Sequence, residues 1–321
     1  MDASAVAQVR QRLRGILGRG PSTILLAMVA MVAAGGVAHP RYLSGTNLYL
    51  LSRQISLVYV AALGQFFVVL SRGMDLSIGA VAGLSGMVVA WAMRSGVPPQ
   101  AAIPLALLMG LAVGLANGAL VGYLRLDPCI ATIGTGQLVG GLTLGLSRGW
   151  SVVEVPRSFL VVAQGAFLGA PVPVWIALLL GLIANVALAH MAFGRRLVAM
   201  ALNEEATFLS GIDVARLKLV VYVASSVAGA ATGIVTVARL ASAQPSDGLL
   251  LAMVSLACAV IPLASGLVSA LGVALGACVL GEIAYGMTLM RVDPYWQSSL
   301  FGVLLVLMFA VDRLRKRRGV A

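Results

Sequence analysis

The chain has 321 residues, of which 60% are hydrophobic and only 10% are charged. A soluble domain carries about 25% charged residues, so this chain cannot cover a water-facing surface and lipid must be its main solvent. The net charge of +11 comes largely from basic residues that flank the first and last apolar runs, a pattern typical of membrane topology that argues against a nucleic-acid partner.

Apolar runs of roughly 17–25 residues predict an all-α, polytopic membrane protein with about ten transmembrane helices. The predicted spans are 21–38, 47–70, 76–93, 101–124, 129–147, 171–192, 218–238, 248–265, 267–289 and 295–311. The first run resembles a signal peptide, but its length and the many spans after it indicate an uncleaved helix. We therefore expect residues 1–321 to form a single transmembrane domain.

The basic residues predict the orientation of the chain. If the N-terminus lies inside, fifteen Lys and Arg residues fall on the inner side and six on the outer side. Both tails and the loop 194–217 belong to the inner set. This bias predicts that both termini are cytoplasmic.

The sequence contains an internal repeat. Leu124-Arg-Leu-Asp-Pro128 recurs as Met290-Arg-Val-Asp-Pro294, at an offset of 166 residues. The same offset carries spans two to five onto spans seven to ten, within a few residues. The two halves are separated by an odd number of spans, so they face opposite ways. Such an inverted repeat is typical of transport folds.

No motif for catalysis is present. The sequence contains no Gly-rich phosphate loop, no Ser–His–Asp set and no zinc spacing, so we expect no enzyme activity, no metal and no cofactor on this chain. Energy must then come from a partner or from an ion gradient. A stand-alone, ion-coupled secondary transporter is the alternative, with Glu282 or Asp75 as its membrane carboxylate.

The loop 194–217 is a charged island between two apolar spans. Asn203 or Ser210 would cap short helical turns, Glu204 and Glu205 favour a helix N-terminus, and Gly211 would end a helix. A helix of this kind either rests on the membrane surface or docks into a cytoplasmic partner.

Several stretches resemble the permeases of ribose/xylose-type bacterial ABC sugar importers. Ser71-Arg-Gly-Met-Asp-Leu-Ser-Ile-Gly79 is similar to the family's Gly-Gly-Ile-Asp-Leu-Ser-Val-Gly stretch. Asn203-Glu-Glu-Ala-Thr-Phe-Leu-Ser-Gly-Ile212 is similar to Asn-Glu-Ala-Ala-Arg-Leu-Ser-Gly-Ile. Further matches are Asn117-Gly118, Ile130–Gly134, Pro171–Val174, Phe193–Arg195, Ala238–Pro245 and Pro294–Gln297.

The resemblance implies partners and sites. The chain would lie in the bacterial inner membrane with a second permease, a cytoplasmic ATP-binding subunit that carries ATP and Mg, and a periplasmic sugar-binding protein. The ATPase-coupling residues would be Asn203, Glu204, Glu205, Ala206 and Gly211. The translocation path or gate would include Asp75, Ser77, Asn117, Thr132 and Gln137. The binding-protein side would include Arg239, Ser242 and Gln244.

The path residues have an alternative role, because each of the five side chains could instead hydrogen-bond a neighbouring helix. Asp75 in particular could pair with Arg72 or cap the turn at Ser77. A neutral solute such as a sugar needs hydroxyl and amide partners rather than charges along its path.

One region departs from the family pattern. Ala259-Val260 stand where a Gly-Gly pair is expected, and Ala284-Tyr285 replace an Asn-Asn pair. These changes affect the eighth and ninth spans. They suggest the divergent half of a heterodimer, paired with a more typical permease, although a homodimer remains the alternative.

Overall fold

The structure is a computed structural model that describes residues 20–38, 42–245, 248–264, 267–293 and 296–310, the last range without 298, 304–305 and 308–309. Its helices are α1 (Gly20–Ala38), α2 (Gly45–Leu70), α3 (Ile78–Arg94), α4 (Pro99–Gly118, continued by a π-helical turn Ala119–Tyr123), α5 (Pro128–Ser147), α6 (Arg157–Gln164), α7 (Val172–Ala189), α8 (Ala192–Leu202), α9 (Glu204–Leu209), α10 (Val214–Leu240), α11 (Leu249–Ala264) and α12 (Ala270–Leu289). The described residues between 296 and 310 are helical as well.

Nine of the ten predicted spans correspond to the helices α1–α5, α7 and α10–α12, and the described residues of the tenth are helical. The all-α polytopic class is confirmed. Among the described residues, six helices are long and apolar enough to cross a membrane: α2, α4 with its π-helical turn, α5, α7, α10 and α12. The helices α3 and α11 and part of α1 are apolar but shorter. The basic tails that predict the orientation lie outside the described residues, as do residues 265–266 between the eighth and ninth spans.

The segment between α5 and α7 contains elements that the sequence did not predict. Besides α6 it holds a two-residue hairpin of β1 (Ala166–Phe167) and β2 (Ala170–Pro171). The Trp175 indole donates a hydrogen bond to the Phe167 carbonyl at 2.9 Å, and the two rings meet edge to face. An indole with one apolar face and one polar atom suits this position at the end of a span.

The helix contacts follow the inverted repeat. The offset of the repeat exchanges α2 with α10, α3 with α11 and α4 with α12. Correspondingly, α10 packs against α2, α3 and α4, whereas α2 packs against α10, α11 and α12. Arg125 and Arg291, which match in the repeat, both adopt left-handed backbone angles, with φ of 55° and 57°. The two halves therefore share local geometry as well as sequence.

Two glycine-rich faces have different surroundings. On α4, a Cβ added at Gly110, Gly114 or Gly118 would come within 2.6–2.7 Å of atoms of α10, so these glycines permit a close approach of the two helices. On α5, a Cβ at Gly140 or Gly141 would meet nothing within 4 Å. The glycines of α4 are therefore in contact within the chain, whereas the surface of α5 at Gly140 and Gly141 is open.

Candidate functional site

A buried polar network surrounds the connection between α2 and α3. The Asp75 side chain is fully buried; its Oδ1 accepts hydrogen bonds from the amide of Ser77 at 3.0 Å and from its hydroxyl at 2.6 Å. Its Oδ2 accepts from the Ser225 hydroxyl on α10 at 2.7 Å. Asn117 on α4 donates to the Ser77 hydroxyl at 2.7 Å and accepts from Thr135 on α5 at 2.6 Å. The network thus joins three helices to one connection.

Two further bonds fix the backbone of this connection. The Leu76 amide donates to the Thr132 hydroxyl at 3.1 Å, and the Tyr222 hydroxyl donates to the Met74 carbonyl at 3.1 Å. Burial raises the pKa of the Asp75 carboxyl above its ordinary value, while the hydrogen bonds from Ser77 and Ser225 act in the opposite direction. The carboxyl is therefore held by donors rather than by a cation.

The structure brings together four of the five predicted path residues. Asp75, Ser77, Asn117 and Thr132 belong to the network, whereas Gln137 is exposed on α5. The arrangement is the hydrogen bonding between helices that the sequence left open as an alternative. Of the two local alternatives for Asp75, the cap at Ser77 is present. The ion pair is not, because the Arg72 guanidinium donates instead to the carbonyls of Ala201 and Leu202.

The charged island folds as two short helices, α8 and α9. The Asn203 side chain caps α9 by accepting from the Ala206 amide at 3.0 Å, as predicted. Gly211 follows the helix with a left-handed φ of 78°. Ser210 does not cap the following helix; its hydroxyl bonds back to the Ala206 carbonyl, and Asp213 caps α10 instead. Asp213 lies directly before the helix, which is the position where a short acidic side chain can reach the first free amides.

The surface of α9 combines acidic and apolar groups. Phe208 and Leu209 are 57% and 77% exposed, and Glu205 is exposed beside them. Glu204 forms an ion pair with Lys218 of α10, with 2.6 Å between Oε1 and Nζ. A groove of about 940 Å³ runs between this segment and the α4–α5 connection. The helix thus offers an apolar tip and one free carboxylate to its surroundings.

The residues of the predicted binding-protein side lie at the other end of the bundle. Arg239, at the end of α10, hydrogen-bonds the Gln54 side chain of α2. Arg239 and Gln244 line a cavity of about 230 Å³, whereas Ser242 lies outside it. The other polar groups in the wall are not among the residues predicted from the sequence. They are Gln54, Thr232, Thr236 and Gln297.

Glu282, the carboxylate of the ion-coupled alternative, lies on α12. It is 6% exposed, and its Oε2 atom has no hydrogen-bond partner within the described ranges. Glu282 does not line the 230 Å³ cavity or the groove beside α9. Over the same part of the chain, no group of three or more His, Cys, Asp or Glu side chains could hold a metal ion.

The polar side chains of α10 that contact the two sites had a signal in the sequence. Lys218, Tyr222 and Ser225 recur at spacings of four and three residues, which places them on one face of α10. In an apolar helix such a polar face indicates contact with protein rather than with lipid. The contact of Arg72 with α8 had no comparable signal, because it depends on the path of the loop.

Comparison with known proteins identifies one family over most of the described bundle. The family model described as "Branched-chain amino acid transport system / permease component" matches residues 47–309. No solved structure matches the chain.

Curated relatives cover nearly the full length. The D-allose transport system permease protein AlsC of Escherichia coli is 34% identical over 91% of this chain and 91% of its own. The ribose import permease protein RbsC of Bacillus subtilis is 32% identical over 95% and 96%. The fructose import permease protein FrcC of Rhizobium meliloti is 28% identical over 94% and 88%.

Proposed function

The chain belongs to the permease-component family of branched-chain amino acid transport systems, and from this premise we propose that it is the permease of an ATP-driven importer for a monosaccharide or a similar small polar solute. The observation that carries this proposal is full-length similarity to the allose, ribose and fructose permeases. As a multi-pass permease it lies in the inner membrane. The amide and hydroxyl groups of Gln54, Thr232 and Thr236 in the wall of the 230 Å³ cavity support a neutral, polar solute.

We propose that ATP is hydrolysed, with Mg²⁺, by a separate subunit that binds α9. Helices that rest on membranes are rich in Lys and Arg, and the inner leaflet is negatively charged. In contrast, α9 contains Glu204 and Glu205 and no basic residue. Its exposed Phe208 and Leu209 therefore favour an apolar protein groove over a lipid surface. In this arrangement both termini and α9 are cytoplasmic.

We propose that a second permease covers the open face of α5. Only 22% of the most apolar window of α5 is buried, and Gln137 is exposed on the helix. An amide that faces hydrocarbon costs free energy, whereas a facing helix or an aqueous path satisfies it. The solute would then pass between the two permeases, close to Gln137. The periplasmic binding protein would dock at the end of the bundle opposite α9, near Arg239, Ser242 and Gln244.

The coupling role of α9 can be tested with two matched leucines. Leu209 on α9 and Leu168 in the β1–β2 hairpin are 77% and 78% exposed, at opposite ends of the bundle. We expect Leu209→Asp to abolish co-purification of the ATPase and ATP-dependent uptake, because a carboxylate would be buried in an apolar groove. Leu168→Asp should leave co-purification of the ATPase intact. Equal recovery of the ATPase by both variants would contradict the coupling role.

The same reconstituted system separates the two transport classes. An ATP-driven importer loses uptake without the ATPase and retains it when an uncoupler collapses the ion gradient. Uptake that survives without any ATPase and stops with the uncoupler would overturn the proposal.

A further inference from the structure

The connection between α2 and α3 touches both sites described above. At its start, the Arg72 Nε and Nη2 atoms donate to the carbonyls of Ala201 and Leu202, at 3.2 and 2.9 Å. Three residues later, Asp75 anchors the buried network. A single short stretch of backbone, residues 71–77, therefore lies between the end of α8 and the helices α4, α5 and α10.

The position of Arg72 is demanding. Its φ is 59°, in the left-handed region that favours glycine. The last carbonyls of a helix lack partners within the helix and carry its negative partial charge, so a guanidinium is a favourable donor to them. The two bonds to α8 offset the backbone strain. With this backbone turn the Arg72 side chain contacts α8 and not Asp75.

A second contact runs in parallel. Glu204 of α9 pairs with Lys218, and the same face of α10 carries Tyr222 and Ser225. Tyr222 donates to the Met74 carbonyl and Ser225 to Asp75. The α8–α9 segment is thus tied to residues 71–77 directly through Arg72 and indirectly through α10.

We propose that Arg72 is a positioning residue that transmits displacement of α8–α9 to residues 71–77 and to the hydrogen-bond network of Asp75. This inference rests on the proposed coupling of α9 to an ATPase. When the ATPase moves α8, the hydrogen bonds from the Arg72 guanidinium to the carbonyls of Ala201 and Leu202 make the turn at Arg72 move with the helix. The bonds of Ser77 and Thr132 then rearrange, because packed hydrogen-bonded contacts change between discrete arrangements rather than stretching.

Hydrogen–deuterium exchange of the reconstituted complex tests the inference without any solute. The probe is ATP with Mg²⁺ and orthovanadate, compared with the nucleotide-free complex. In the wild type we expect exchange to change both in α8–α9 and in amides 71–77, where the Leu76 and Ser77 amides report the network. In Arg72→Gly the change in α8–α9 should persist, while that in 71–77 should fall at least about fivefold.

Glycine suits the left-handed turn, so Arg72→Gly removes the guanidinium without adding strain. Arg148→Gly is the matched control: Arg148 is also exposed and left-handed, with φ of 52°, but it ends α5. If Arg72→Gly does not accumulate, Arg72→Asn serves in the same assay. A wild-type exchange response of residues 71–77 in the Arg72 variant would overturn the inference. Absence of a response in α8–α9 of the wild type would instead refute the coupling of α9.

Discussion

Asp75 is a buried carboxyl in the connection between α2 and α3 of a predominantly apolar bundle, and its surroundings explain how the fold tolerates it. Three donor groups on Ser77 and Ser225 point at its two oxygens. Such donors replace the water that the carboxyl loses on burial. Asn117 connects Ser77 to Thr135 of α5 and so extends the network to that helix. Asp75 therefore fixes both the turn before α3 and the position of α10.

Two substitutions of Asp75 distinguish the loss of its hydrogen-bond acceptors from the loss of its negative charge. We expect Asp75→Ala to lower the stability of the permease by about 1–3 kcal/mol, because the hydroxyls of Ser77 and Ser225 lose a buried acceptor. Asp75→Asn should retain most of the stability, since its oxygen still accepts from Ser77 and its amide can donate to the Ser225 hydroxyl. Thermal unfolding of the solubilised permease measures both. Equal losses in the two variants would show that the negative charge itself is required.

At the scale of elements, the sequence predicted what depends on local chemistry. The apolar runs located the spans, and Asn203 and Gly211 located the start of α9 and the turn after it. The sequence did not predict α6, the β1–β2 hairpin or the contact of Arg72 with α8, because these depend on contacts distant in sequence. Four of the predicted path residues belong to one network because they lie near helix ends that meet in the structure. Gln137, in the middle of α5, was assigned by residue type alone.

The two glycine faces provide an element-scale prediction. A Cβ at Gly114 would lie 2.7 Å from the Val223 Cα of α10, so Gly114→Ala should force α4 and α10 apart. We expect a loss of about 1–3 kcal/mol, as for other overpacked cores. Gly141→Ala, which meets nothing within 4 Å, should unfold like the wild type when the chain is isolated. Thermal unfolding of the two variants side by side makes the comparison, and an unchanged midpoint for Gly114→Ala would contradict the packing.

At the scale of the whole molecule, the apolar helices differ widely in how much of their surface is buried within the chain. The helix α2 is 78% buried over its most apolar window, against 22% for α5. Because α10 packs against helices of the first half and α2 against helices of the second half, the bundle forms around these two helices. The proposed partner permease therefore meets a surface that the inverted repeat leaves uncovered.

Single cysteines can locate that partner. In a variant without Cys129, Cys258 and Cys278, we expect Gln137→Cys to form a disulfide with a cysteine at the facing position of the second permease. Leu179→Cys, at a position of α7 that is 59% exposed, should not cross-link. Gel mobility after mild oxidation reports the linkage, and mass spectrometry shows whether the partner is a second copy or a different permease. Cross-linking of the Leu179→Cys variant but not of the Gln137→Cys variant would show that the second permease packs against α7 rather than α5.

The distance in sequence between Asp75 and its partner has a consequence for biosynthesis. Ser225 follows Asp75 by 150 residues. At about 5–20 residues per second, a ribosome needs on the order of 10–30 s to deliver the hydroxyl. During that interval α2 and α3 are already made, while α10, α11 and α12, which cover α2, do not yet exist. Until then, of the three donors that the finished fold gives to this carboxyl, only the amide and the hydroxyl of Ser77 are available. Burial of the Asp75 carboxyl is therefore completed only after most of the second half of the chain has been made.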